Sequence, residues 1–189
     1  MLSDAYCRIP KGCSDAHLQI KQKDKDFVDH LDNFQPLGIV GGSPKEVSQF
    51  LKSTGQTYLG YSFVTFTLPY FSKLHSKWNR KENDRNIKVV PCNIADLLTP
   101  IALAYWLAGD GSYVKAKGII QISTYSFTPQ EVYQLRTVLL DKLNIESTRN
   151  IHRPGQYMIR IPKREVPKVQ QLVKAHIPPT MASRVGLES

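Results

Sequence analysis

An acid at the end of an apolar stretch is the part of this sequence best suited to chemistry. Leu98-Thr99-Pro100 is followed by Ile101-Ala102-Leu103-Ala104-Tyr105-Trp106-Leu107-Ala108, then by Gly109-Asp110-Gly111-Ser112. Thr99 and Pro100 suit the N-cap and first turn of a helix, and Gly111 is expected to close it in a left-handed conformation. Asp110 would then stand at the negative end of a helix dipole, where an anion is disfavoured unless a cation compensates it. A second short phrase, Ser3-Asp4-Ala5-Tyr6, occupies the matching place near the start of the chain. Two such helix ends side by side would bring Asp4 and Asp110 together. Their mutual repulsion would be relieved by a divalent ion, and ligands that are all oxygen suit Mg²⁺. The competing reading is that Asp110-Gly111 simply opens a turn.

The elements that would position these acids recur in two copies. His17-Leu18-Gln19-Ile20-Lys21-Gln22 alternates like a half-buried strand, and Phe27 to Leu31 continues at helical spacing. In the second half, Ile119 to Thr124 is a strand and Thr128-Pro129-Gln130-Glu131 opens a helix that runs to about Asn144. Tyr58 to Thr67 and then Leu68-Pro69-Tyr70-Phe71 repeat the strand-to-helix order, as do Gln156 to Ile161 and then Val166-Pro167. Each half closes on a similar phrase, Val90-Pro91-Cys92-Asn93-Ile94 and Ile177-Pro178-Pro179-Thr180-Met181. The pattern implies two α+β units, 1–94 and 95–189, with loops at Gly38 to Gly42 and in the charged stretch Asn79 to Asn86. One strand face in each half offers polar side chains to a groove of nucleic acid. They are Gln19, Lys21 and Lys23 in the first half, and Gln121, Ser123 and Tyr125 in the second. An ordinary solvated sheet face is the alternative.

Composition narrows the classes. Of 189 residues, 41% are hydrophobic and 10% aromatic, too many for a disordered chain. The longest apolar run, Ile101 to Ala108, is far short of a membrane span, and the N-terminus does not resemble a signal peptide. Cys7, Cys13 and Cys92 have neither the number for a disulfide framework nor the spacing of a zinc site. A formal net charge of +9 favours a polyanionic partner.

These residues resemble the LAGLIDADG homing endonucleases, in particular the two-repeat monomers encoded in organellar introns. Leu103 to Gly111 fills the motif positions and agrees with the motif name at Leu103, Ala104, Asp110 and Gly111. The flanking Leu-Thr-Pro, Gly-Asp-Gly-Ser and Ser126-Phe127-Thr128 are similar to that branch, and Asp4-Ala5-Tyr6 looks like the end of its first motif. The resemblance implies two pseudo-twofold αββαββα repeats whose saddle-shaped antiparallel sheets lie in the DNA major groove. It also implies Mg²⁺-dependent cleavage of both strands at Asp4 and Asp110, leaving 3′ overhangs. A basic residue near each centre would correspond to Lys88 and Arg184, and Gln19 would match a polar residue near the middle of the site.

Only the end of the first motif is present, with Ala5 where the motif has Gly, so the first motif helix is largely missing. The resemblance then implies that codons for this helix lie upstream, as intron reading frames often continue from an exon, or that the protein is decayed or repurposed. An enzyme that began at Met1 would be expected to be unstable or inactive. The expected partner is double-stranded DNA, acted on by a monomer of mitochondrial origin with no membrane association. The alternative is a non-cleaving nucleic-acid-binding protein such as an intron RNA splicing maturase.

Overall fold

The computed structural model describes residues 2–3, 5–51 and 55–187. The chain divides into two compact units. One runs from Ser3 to Lys77, and the other takes Leu2 and the chain from Trp78 onward. This division follows spatial compactness, whereas a boundary at 94/95 follows the repeat of motifs.

The first unit contains β1 (Ala5–Arg8), β2 (His17–Gln22), α1 (Lys25–His30) with a 3-10 extension over Leu31–Leu37, β3 (Lys45–Leu51), β4 (Gln56–Val64) and all but the last residue of α2 (Pro69–Trp78). Helix α1 starts where the Asp24 carboxylate accepts the Phe27 N–H at 2.9 Å. The strands form an antiparallel sheet in the order β1-β2-β4-β3. Alternation sends Cys7 and Leu18 to one face, where they pack with Ala16, Ile39, Leu68, Phe71 and Leu74.

The second unit opens with β5 (Asn79–Glu82) and β6 (Arg85–Lys88), followed by a short α3 (Ile94–Leu97). Then come α4 (Pro100–Asp110), β7 (Gly111–Val114), β8 (Ile119–Ser123), α5 (Pro129–Leu143), β9 (Thr148–Arg153), β10 (Gln156–Ile161) and α6 (Val166–Val173). A 3-10 segment, Pro179–Val185, closes the unit. Its sheet has the order β7-β8-β10-β9, the same topology as the first. From α4 to α6 the elements read αββαββα, and among the described residues the first unit presents the same series from its first strand onward. The fold is therefore α+β with two topologically matching antiparallel sheets. Ile120, Ile122, Ile159 and Ile161 are all fully buried on the inner face of the second sheet. Val132, Leu135, Val138 and Leu139 form the buried stripe of α5. As its sequence implies, that helix begins in a capping box of Thr128 and Glu131 and ends at Asn144, which the structure shows in a left-handed conformation.

Two local expectations are corrected. The charged stretch Asn79 to Asn86 is not a loop but the β5–β6 hairpin. It carries no apolar alternation, so burial leaves no mark on its sequence. Asn83 and Asp84, at φ 47° and 57°, make the tight turn. Arg80–Glu82 and Lys81–Asp84 ion pairs at 3.1 and 3.5 Å lie along the ribbon. At its base the Val89 N–H donates to the carbonyl of buried Trp78 at 2.9 Å.

Gly111 is the second correction. It ends α4 at φ −78° and ψ 150°, an extended conformation open to any residue. Glycine is needed there for space, since a Cβ would stand 2.3 Å from the Leu107 carbonyl oxygen. Gly111→Ala is therefore expected to lower unfolding stability by about 1–3 kcal/mol in urea denaturation, the usual range for forced overpacking. Ser112→Ala, at the exposed neighbour, should stay within about 0.5 kcal/mol. Equal midpoints for the two variants would show that the carbonyl yields without cost.

Candidate acidic centre and nucleic-acid interface

Helix α4 begins where Thr99 Oγ1 accepts the Ala102 N–H at 3.2 Å. It buries Leu103, Ala104, Trp106, Leu107 and Ala108, and so reaches its last residue, Asp110, as an almost wholly apolar rod. Asp110 is half-buried and directly precedes β7. Arg184 Nη1 donates to the Gly111 carbonyl at 3.2 Å, which sets a guanidinium beside the negative end of the helix. The backbone that carries Arg184 is tied down twice. Gln170 Nε2 from α6 donates to the carbonyls of Val185 and Gly186 at 2.9 and 3.1 Å. Gly186, at φ 75°, lies so close to the Tyr113 ring that a Cβ would meet it at 2.8 Å. Asp110 and Arg184, far apart in sequence, are thus brought to one helix end.

Lys88 is the last residue of β6, and its Nζ donates to the Leu2 carbonyl at 3.4 Å. Asp4 itself lies outside the described residues. The chain just past Lys88 is anchored to α5. Val90 N–H donates to Glu131 Oε1 at 2.9 Å, and Gln134 Nε2 donates to the Pro91 carbonyl at 3.0 Å. Glu131 therefore does two jobs, since its Oε2 also accepts the Thr128 N–H at 2.8 Å within the capping box.

Strand registers assign the remaining candidates to faces. Tyr6 pairs with Gln19 and Ala5 with Ile20 in the first sheet; Ser112 pairs with Gln121 and Gly111 with Ile122 in the second. Gln19 and Gln121 are thus matching positions, as are Lys21 and Ser123. Gln19 is buried, with Oε1 accepting from the Tyr6 hydroxyl and Nε2 donating to Ser62 Oγ, each at 2.7 Å. Lys21 is exposed on the same face, and Lys23 Nζ lies 4.8 Å above the Tyr58 ring. In the second unit Gln121, Ser123 and Tyr125 line one open concavity of about 520 Å³, together with Ser112, Asn150, His152 and Met158. Tyr125 stacks on His152 with centroids 4.8 Å apart. Among the described residues neither polar sheet face carries a carboxylate, while Arg8, Lys21 and Lys45 stand on the first and Arg160 on the second.

Tyr6, Ser62, Asn150 and His152 were not singled out as site residues from the sequence, and Glu131 was read only as part of a helix start, not as the partner of Val90. Tyr6 carried a usable signal, because it follows Asp4-Ala5 as Ser112 follows Asp110-Gly111. Ser62, Asn150 and His152 sit on partner strands whose register the sequence does not state.

Comparison with known proteins decides the family. The model of the LAGLIDADG DNA endonuclease family matches residues 1–169. The chain belongs to that family. Cytochrome b mRNA maturase bI2 of Saccharomyces cerevisiae is 31% identical over 98% of the chain, which spans 45% of that maturase. Intron-encoded endonuclease ai4 of Dictyostelium discoideum is 30% identical over 68% of the chain and 78% of its own length. The LAGLIDADG fold itself is seen in the structure of the homing endonuclease I-WcaI bound to its DNA recognition sequence. It matches the whole chain and 83% of that protein, with a TM-score of 0.84 at 23% identity. The chain thus spans less than half of the maturase, and no helix among its described residues is long and apolar enough to cross a membrane.

One residue on the first polar face links it to pH. His17 is buried opposite Arg8, and its Nε2 has no hydrogen-bond partner among the described residues. Burial, and secondly the Arg8 charge, hold its pKa below the usual 6.5. A depressed folded pKa means that the unfolded chain takes up the proton first. The stability His17 contributes is complete above pH 6.5 and is lost as pH falls through the lower folded value. Urea midpoints are expected to fall between neutral and mildly acidic pH, and to fall less in His17→Gln. An equal fall in both proteins would remove His17 from the account.

Proposed function

We propose that this chain is a site-specific, double-strand DNA endonuclease of the intron-homing type, working as a monomer and encoded in a mitochondrial genome. One observation carries the reading. In the second unit the polar sheet face without carboxylates begins at Ser112, two residues after Asp110, so the acid ends the helix that leads directly into the first strand of the surface suited to a polyanion. The family match and the name of the Dictyostelium relative agree with this reading.

Asp4 and Asp110 would hold Mg²⁺. No group of three or more His, Cys, Asp or Glu side chains gathers among the described residues. Mg²⁺ needs none when one or two carboxylates are joined by water and phosphate oxygens, so the half-buried, all-oxygen donor at Asp110 fits it. When bound, the ion would neutralise charge building on the scissile phosphate. Asp110, at the foot of a buried helix, fixes where the reacting phosphate sits. Arg184, locked on the Gly111 carbonyl, points positive charge at the same place and stabilises the pentavalent phosphate as its charge grows. Lys88 would be the corresponding basic residue of the first repeat. Lys21, Lys23, Gln121, Ser123 and Tyr125 would contact backbone and base edges, with Gln19 holding Tyr6 and Ser62 in place.

The maturase names among the relatives favour a second reading, in which the same basic surfaces bind intron RNA and assist splicing. Cleavage separates the two. Plasmids carrying intron-insertion sequences should be cut with Mg²⁺ by the wild type and not by Asp110→Asn, whose duplex affinity should remain. Arg184→Ala is expected to slow cleavage about 10²–10³-fold, the cost of losing one transition-state donor. Tight duplex binding without cutting of any such plasmid, coupled to rescue of intron splicing, would replace the endonuclease reading with the maturase one.

A further inference from the structure

The β5–β6 ribbon has two unlike faces. Its register pairs Asn79 with Lys88 and Lys81 with Asn86 on one side, and Arg80 with Ile87 and Glu82 with Arg85 on the other. The first side carries two ammonium groups and two amides and no acid; the second carries the ribbon's strand carboxylate, already paired with Arg80. Lys88 is thus one end of a row of donors. Lys81 and Asn86 stand two ladder steps farther out, about 7 Å along the strand, comparable with the step between successive phosphates on one strand of a duplex.

The ribbon is a firm platform for such a row. Buried Trp78 seats one end of its base, and Glu131 and Gln134 clamp the segment that leaves Lys88. Residues 80–87 are exposed on both faces, so no apolar cover competes for them. Lys81 does have a partner, Asp84 at 3.5 Å, but side-chain exposures of 74% and 98% leave that pair screened by water and readily exchanged for a phosphate.

We infer that Lys81, with Asn86 across the ladder, forms a phosphate-binding subsite that extends the Lys88 position one phosphate along the same DNA strand. This rests on the endonuclease reading for its ligand and goes beyond it in assigning a role to the ribbon.

The test uses the full chain and a short DNA duplex of arbitrary sequence, with affinity followed between about 50 and 200 mM salt. Lys81→Ala should make the slope of log affinity against log salt shallower by about 0.9, one phosphate contact, and Lys81→Arg should restore it. Arg80→Ala removes the same charge from the opposite face and should leave the slope unchanged. Asn86→Ala should weaken binding severalfold without altering the slope. Matched melting curves confirm that the variants fold. Equal slope changes in Lys81→Ala and Arg80→Ala, or none in either, overturn the subsite while the endonuclease reading stands. Absence of duplex binding by the wild type overturns both. A Lys81 effect found only with structured RNA also overturns the DNA assignment.

Discussion

A carboxylate at the C-terminal end of an apolar helix is in an unfavourable place, and the second unit is organised around keeping Asp110 there. The last carbonyls of α4 turn their negative ends toward it, and the buried sides of the helix leave it no freedom to withdraw. Arg184 offsets that field through the Gly111 carbonyl, but only because Gln170 and the Gly186–Tyr113 contact hold its backbone against β7. Gly111 completes the set by letting the chain turn straight from helix into strand beneath the Leu107 carbonyl. The acid, its counter-charge and the first strand of the interface are thus one mechanical assembly.

The same economy governs the sheets. In each unit the strand that follows the acid position pairs with the next strand in the same register, so buried isoleucines and phenylalanine on one face determine what the other face presents. A slip of one residue would turn Gln121 and Ser123 inward and expose Ile120 and Ile122, which burial makes prohibitive. The core therefore specifies the interface without touching it. The clamp at Glu131 extends the principle to Lys88, where a helix cap in one element fixes the exit of a hairpin in another.

Much of this was legible in the sequence. Thr99-Pro100 and Thr128-Pro129 mark their helices because capping chemistry is local. The isoleucines of β8 show because a strand buried on one face alternates. Asp110 stands out because no other polar side chain but a tyrosine hydroxyl and an indole N–H breaks the run before it. The β5–β6 ribbon was hidden because no buried face marks its strands; a backbone ladder, a turn of two left-handed residues and the anchor at Trp78 hold it. Strands β3 and β9 were missed for a related reason, since both lie at sheet edges, where exposed side chains such as Phe50 and Ile151 blur the period. The engagement of Gln19 by Tyr6 and Ser62 depends on pairing between distant strands, a relation that no single segment records.

The contrast between Gln19 and Gln121 also bears on how such a surface changes over generations. Gln19 is the middle of a closed hydrogen-bonded chain from Tyr6 to Ser62. Replacing any one member orphans a polar group in a buried place, so three codons must drift together or not at all. Gln121 faces an open concavity beside Ser112 and Ser123, where a single substitution leaves no buried polar partner of the fold unpaired. The fold itself therefore restrains variation at the floor of the first sheet, whereas on the second sheet restraint comes only from whatever the concavity binds.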